Sequence, residues 1–199
     1  MTASVPQINP DRLHQRITNL AAVGAIDGGG CARLALTDAD RAGRDLVCGW
    51  MRELGLAVSV DAIGNVVGVR AGRRDGPPVM TGSHIDTVRT GGRYDGNYGV
   101  LAGLEVVAAL NDAGLTTEHP LAVAFFTNEE GARFAPDMMG SLVYTGALAL
   151  NDALAVQGID GATVGDELAR IGYAGPAPVP AAAPRAFVEL HVEQGPVLD

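Results

Sequence analysis

From Pro78 onward the chain alternates between short runs rich in β-formers and longer helical stretches. The order is PVMTGSH, a polar glycine-rich loop, GVLAGLEVVAAL, LAVAFFTNEE, a further helical region, and AFVELHVEQG. Buried strands joined by helices account best for that alternation. The expectation is an α/β fold: a central, mostly parallel mixed sheet flanked by helices. Upstream, Asn9-Pro10-Asp11 reads as a helix start, with a capping side chain, a proline at the first helical position and an acid near the positive end, running to about Ala22. A second helix begins at Thr37 or Asp38, with Ala39, Ala42, Leu46, Val47, Trp50, Met51 and Leu54 on one face and Gly55 as its stop. LAVSVDA (56–62) and VVGVRAG (66–72), split by Ile63-Gly64-Asn65, read as a hairpin. The proline- and alanine-rich stretch from Gly175 to Pro184 is read as a surface loop inside one domain.

Charge and composition remove several function classes. A net charge of -9, with no basic run longer than Arg73-Arg74, gives no surface for tracking phosphates, so nucleic acid is not expected as a partner and a small molecule is. All 14 basic residues are arginine, which excludes a Schiff-base lysine and a Walker-type phosphate loop. Apolar runs are short and interrupted, and the first residues lack the basic start and apolar stretch of a signal peptide. A cytoplasmic protein without a membrane partner is expected. Cys31 and Cys48, widely spaced and outside any CxxC pattern, read as reduced, partly buried thiols.

The chemistry lies at the strand ends. In an open α/β sheet, ligands bind in the crevice beyond the carboxyl ends of the strands. His84 ends PVMTGSH, Glu129 and Glu130 end LAVAFFTNEE, and His191 lies near the end of AFVELHVE, so residues far apart in sequence are aimed at one place. An imidazole leaving a buried strand can bind a metal, and Asp86 can accept the proton of its other ring nitrogen. Taken alone, that pair also fits a strand-end histidine hydrogen-bonded to an aspartate. Asp95, in GGRYDGNYG, reads either as a turn or capping aspartate or as a carboxylate offering one oxygen to each of two cations. Adjacent carboxylates at 129 and 130 repel unless a cation or proton compensates them. In an extended segment they point in different directions, so one can bind metal while the other reaches an attacking water. His191 shares its strand face with Glu189 and Glu193, which suits a polar cleft better than a core. His14 and His119 read as solvated.

TGSHIDTV, GGRYDGNYGVLAGLEVV, FTNEEGARF, MMGS and ELHVEQGPVLD, in this order, resemble the hydantoinase/carbamoylase group of the aminoacylase and carboxypeptidase-like dinuclear zinc hydrolases. That group holds N-carbamoyl-L-amino acid hydrolases, allantoate amidohydrolases and β-ureidopropionases. The resemblance runs from about Asp11 to Asp199. It implies two divalent ions, zinc, manganese or cobalt, with His84 and His191 on one, Glu130 on the other and Asp95 bridging them. It further implies that Asp86 orients His84, that Glu129 is the general base, that Gln194 contacts substrate, and that a cis peptide follows Asp95. The implied reaction is hydrolysis of the ureido C–N bond of a carbamoyl amino acid, allantoate or β-ureidopropionate.

Relatives that cut peptides or acylated amino acids commonly place a carboxylate where His191 stands, which counts against an aminoacylase or dipeptidase. Members of the group continue into an inserted lid and dimerisation domain, then return to the catalytic domain, and act as homodimers. With the sequence ending at Asp199, the expectation is the N-terminal portion of the catalytic domain, with lid and last catalytic segment absent and little turnover from this stretch by itself. A truncated remnant that only binds metal or a partner stands as the rival reading.

Overall fold

A computed structural model of the chain describes residues 5–192. Helix α1 spans Pro10–Ala21, and the Asn9 side chain accepts from the Arg12 amide at 3.1 Å, the cap that Asn-Pro-Asp leads one to expect. Helix α2 spans Asp38–Glu53, capped by Thr37 and stopped where Gly55 adopts a φ of 80°. The apolar face read from the sequence packs on the core, with Val47 and Met51 buried and Leu46, Trp50 and Leu54 partly so, but the buried stripe also takes in polar residues that the reading left out. Asp40, Gly43, Arg44, Val47, Cys48 and Met51 face the core, whereas Ala42 is exposed. That inclusion follows from charge compensation, because Arg44 Nε donates to Asp40 Oδ2 at 2.8 Å and to the Gly64 carbonyl through Nη1 at 2.7 Å, so two charged residues are buried as a bonded pair.

Strands β1 (Ala57–Val60) and β2 (Val66–Arg70) form the expected antiparallel hairpin. Strand β3 (Val79–His84), helix α3 (Asp95–Asp112) and strand β4 (Leu121–Phe126) follow, then helices α4 (Met139–Thr145), α5 (Leu150–Leu154) and α6 (Val164–Ile171), and strand β5 (Ala186–Val188). The sheet order is β1-β2-β4-β3-β5. Strand β2 alone runs against the other four, since it is antiparallel to both of its neighbours while β3 is parallel to β4 and β5.

One face of β4 (Val123, Phe125) packs with Val47 and Met51 of α2 and Leu101 and Leu104 of α3, and the other (Ala122, Ala124) packs with Met80 of β3. Helix α1 lies on α3 through a charged contact: Glu105, 1% exposed, receives Arg12 Nε at 2.7 Å and the Asn9 amide at 2.7 Å. The stretch around Gly175–Pro184 is irregular and mostly solvent-facing, tied to β1 through the Ala177 amide on the Val60 carbonyl. Among the described residues no helix is long and apolar enough to cross a membrane. Cys31 and Cys48 are buried and unpaired with each other.

Two element boundaries differ from the expectations in ways that matter for the site. Helix α3 starts at Asp95, not near Val100, so the carboxylate sits in the first helical turn, where the macrodipole favours negative charge. Strand β5 covers only Ala186–Val188, and all three residues are exposed, so His191 follows the strand instead of lying within it. Among the described residues the strand has a neighbour on one side only, β3, and that partner sets its pairing.

Candidate metal centre

Register brings the site residues to one edge. His84 is paired with Phe126 across β3 and β4, so the turn holding Glu129 and Glu130 leaves the sheet beside His84. On the other side Thr81 is paired with Val188, and three more residues along each strand bring His191 level with His84. Asp95 enters from the start of α3. The outcome is a trio: one ligand atom from each of His84, Asp95 and His191 lies within 4.8 Å of the others.

The His84 ring is fixed by its backbone. Nδ1 lies 2.9 Å from the Asp86 carbonyl oxygen, which can only accept, so Nδ1 carries a proton and Nε2 is the nitrogen left to face the carboxylates, where a cation would displace its proton. Among the described residues that buried Nε2 has no hydrogen-bond partner, although Asp95 Oδ1 stands 3.5 Å away and Glu129 Oε2 3.3 Å. His191 Nε2 lies 3.2 Å from the same Asp95 oxygen. Ligands about 2.0 to 2.2 Å from a tetrahedral ion sit roughly 3.3 to 3.6 Å from one another; the 3.5 Å between His84 and Asp95 falls in that range and the 3.2 Å between His191 and Asp95 just below it. Two imidazoles and a carboxylate suit zinc, manganese or cobalt. The orphaned nitrogen and the spacing both fit a divalent cation.

The backbone is shaped around the same point. A Cβ on Gly96 would fall 2.2 Å from His84 Cδ2 and 2.3 Å from Nε2, so only glycine lets the helix start this close to the imidazole. Asp95 has a φ of 29°, uncommon for a residue with a side chain. The cis bonds among the described residues are Ala135–Pro136 and Val179–Pro180, so the cis peptide expected after Asp95 is not formed.

Asp86 takes a different part from the one expected. Its carboxylate is 3.9 Å from His84 Nδ1, too far for a hydrogen bond, and it is the backbone oxygen that orients the ring. The carboxylate instead accepts the Glu129 amide at 3.2 Å and the Glu130 amide at 3.3 Å, tying the end of β3 to the turn after β4. That turn is not extended. Strand β4 stops at Phe126, and Asn128 takes a φ of 52° with its amide group donating to the Phe134 and Pro136 carbonyls. Glu129 is thereby brought to His84. Glu130 stands outside the trio and is half-buried beside it. Gln194 lies outside the described residues. His14 is exposed and His119 partly so, and neither joins the site.

The electrostatics are those of crowded acids. Burial opposes protonation of His84, but Asp95, Asp86 and Glu129 outweigh it and push the imidazole up to about 9. Burial raises Glu130 to about 7, with Asp95, Asp86 and Glu129 adding to the rise and His84 opposing it. Asp86 is raised to about 6 by burial, against the pull of His84. Asp95 is held below the usual range by His84. A bound cation would take over the compensation that a proton on His84 otherwise supplies. Beside Glu129 opens a cavity of about 390 Å³, lined by Met80, Phe126, Met138, Tyr144 and Phe187.

Two site-supporting residues escaped the sequence reading. Arg33 and Asn97 are buried and bonded to each other, but a lone arginine in CARLAL and an asparagine in a glycine-rich loop carry no spacing signal.

Known proteins share both sequence and fold with this chain. The family described as Peptidase family M20/M25/M40 matches residues 80–199. An N-carbamoyl-L-amino-acid amidohydrolase of Rhizobium meliloti is 46% identical over 194 residues, covering 97% of this chain and 47% of the relative. A ureidoglycolate hydrolase of Arabidopsis thaliana is 34% identical over 207 residues, covering 99% and 44%. The crystal structure of a hydantoinase/carbamoylase family amidase from Burkholderia ambifaria superposes with a TM-score of 0.93 at 53% identity, covering 98% of this chain and 48% of that one. The chain spans about half the length of the relatives it matches.

Proposed function

Because the chain belongs to Peptidase family M20/M25/M40, we propose that it serves a metal-dependent amidohydrolase that cleaves the ureido C–N bond of N-carbamoyl-L-amino acids or related ureido acids, among them ureidoglycolate, β-ureidopropionate and allantoate. The observation that carries this reading is the orphaned His84 Nε2 facing Asp95, with His191 on the same carboxylate. Relatives named for carbamoyl amino acids and ureidoglycolate support the substrate class.

In this reading His84, Asp95 and His191 would hold one divalent ion, and Asp95 with Glu130 would hold a second. When bound, such ions would supply the positive charge that acidifies a water and polarises a carbonyl. Glu129, 3.3 Å from His84 Nε2, takes a proton from the attacking water and returns it to the departing nitrogen. Water adds across the carbamoyl carbon, the C–N bond to the amino acid breaks, and carbamate decomposes to ammonia and carbon dioxide. Asp86 keeps both acidic residues in place through their amides. The apolar cavity beside Glu129 is of a size to take a substrate side chain.

The test is ammonia release by the zinc-, manganese- or cobalt-loaded protein from a panel of N-carbamoyl-L-amino acids, ureidoglycolate, β-ureidopropionate and allantoate, beside deacylation of N-acetyl amino acids. Ureido substrates are expected to turn over at least about 100-fold faster, a difference that polar recognition readily supplies. Equal or faster deacylation would move the protein to the aminoacylases.

A further inference from the structure

We infer that Arg33 is a positioning residue that sets the distance between His84 and Asp95, acting through Ile85 and Asn97 without touching a ligand or substrate. The inference rests on the metal reading of the site given above. Arg33 is fully buried, 0% exposed. Its Nε donates to the Ile85 carbonyl at 2.7 Å, and its Nη2 to Asn97 Oδ1 at 2.8 Å. Nη1 donates to the Leu20 and Val23 carbonyls, at 3.0 and 2.7 Å, where α1 ends. Among the described residues no carboxylate is hydrogen-bonded to it; its acceptors are neutral.

A buried cation with neutral acceptors is costly to keep, and an apolar side chain could fill the same volume. What an apolar side chain could not do is hold fixed acceptors on separate segments at set distances. The guanidinium is a rigid plane with donors in a fork. One edge is anchored on the end of α1. The other reaches Ile85, between His84 and the Asp86 carbonyl that orients its ring, and Asn97, two residues after Asp95 in the first turn of α3. The strand end carrying one ligand and the helix start carrying the other are therefore spaced by one planar group. The backbone repeats the tie: the Arg33 amide donates to Thr87 Oγ1 at 2.8 Å, and the Thr87 amide to the Arg33 carbonyl at 2.9 Å. Helix α2 makes room for it. A Cβ on Gly43 would fall 2.7 Å from Arg33 Cδ. The 3.5 Å between His84 Nε2 and Asp95 Oδ1 is the spacing this arrangement fixes.

The experiment is cobalt titration of the chain, read by the visible d–d absorption, in Arg33→Lys, Asn97→Ala, Asn97→Asp and His84→Ala. Circular dichroism and the metal-free thermal midpoint check folding. Lysine keeps the charge but lacks the planar fork that holds Ile85, Asn97 and the end of α1 at set distances; Asn97→Ala removes only the arm to α3. Both are expected to weaken cobalt binding by about 10- to 100-fold and to change the absorption of whatever cobalt still binds, as loss of supporting hydrogen bonds does at metal sites. Asn97→Asp, which keeps an acceptor, is expected to restore most of the affinity. Wild-type affinity and spectrum in folded Arg33→Lys and Asn97→Ala would overturn the inference, leaving Arg33 a structural residue. So would unfolding of both at 25 °C. Cobalt binding undiminished in His84→Ala would instead overturn the metal reading on which the inference stands.

Discussion

Glu129 and Glu130 are neighbours in sequence with separate surroundings: one faces His84 across 3.3 Å, the other stands outside the ligand trio with its carboxyl raised to about 7. Glu129→Gln is expected to keep metal content while lowering turnover by about 100- to 10,000-fold, the usual contribution of a general base. Glu130→Gln is expected to lose metal. Equal metal loss in the two variants, measured by elemental analysis, would refute this division of roles. That His84, Asp95 and His191 meet was legible in the sequence through residue type and through the element ends near which they fall. Their supports were not. Asp86 works through its backbone oxygen and through two amides, and neither relation is written in residue type. Arg33 and Asn97 find each other only after α1, the end of β3 and the start of α3 are assembled.

At the scale of elements, α1 is tied to α3 by two carboxylates, exposed Asp112 and buried Glu105, and the buried one carries the larger share. Glu105 is nearly inaccessible, and although burial pushes it upward, Arg12 and the Asn9 amide hold it below the usual range. A depressed folded-state value means that the stabilisation is present above the ordinary glutamate range and is lost as pH falls through the folded value. Glu105→Gln is expected to cost about 1 to 3 kcal/mol at pH 7, and thermal unfolding of variant and parent should converge as the pH is lowered toward 3. A pH-independent difference would mean that packing, not charge, is lost. Helix caps and the hairpin were legible because capping side chains and turn residues act locally. The polar part of the buried face of α2 was not, since Asp40 and Arg44 read as surface residues until their partnership is seen. The reach of β5 was not legible either, because pairing with β3 decides where a strand ends and AFVELHVE alone does not.

Across the whole molecule, the trio joins β3, α3 and the segment after β5, which come together only in the folded chain. An ion that binds there and not to the unfolded chain stabilises the fold by about 2.7 kcal/mol at 100 times its dissociation constant. The thermal midpoint should rise by roughly 5 to 10 °C for a chain of this size, fall back with a chelator, and not move in His84→Ala. A midpoint indifferent to zinc, manganese and cobalt would count against the centre. There is also a mechanical side to this. Strand β5 is short, solvent-facing on every residue and, among the described residues, bordered by β3 alone, so it is the thread by which this part of the sheet would first be unpicked. With His191 bonded to an ion shared with His84, that loose thread becomes a riveted end, and a protease or a pulling force applied there meets resistance set by metal content.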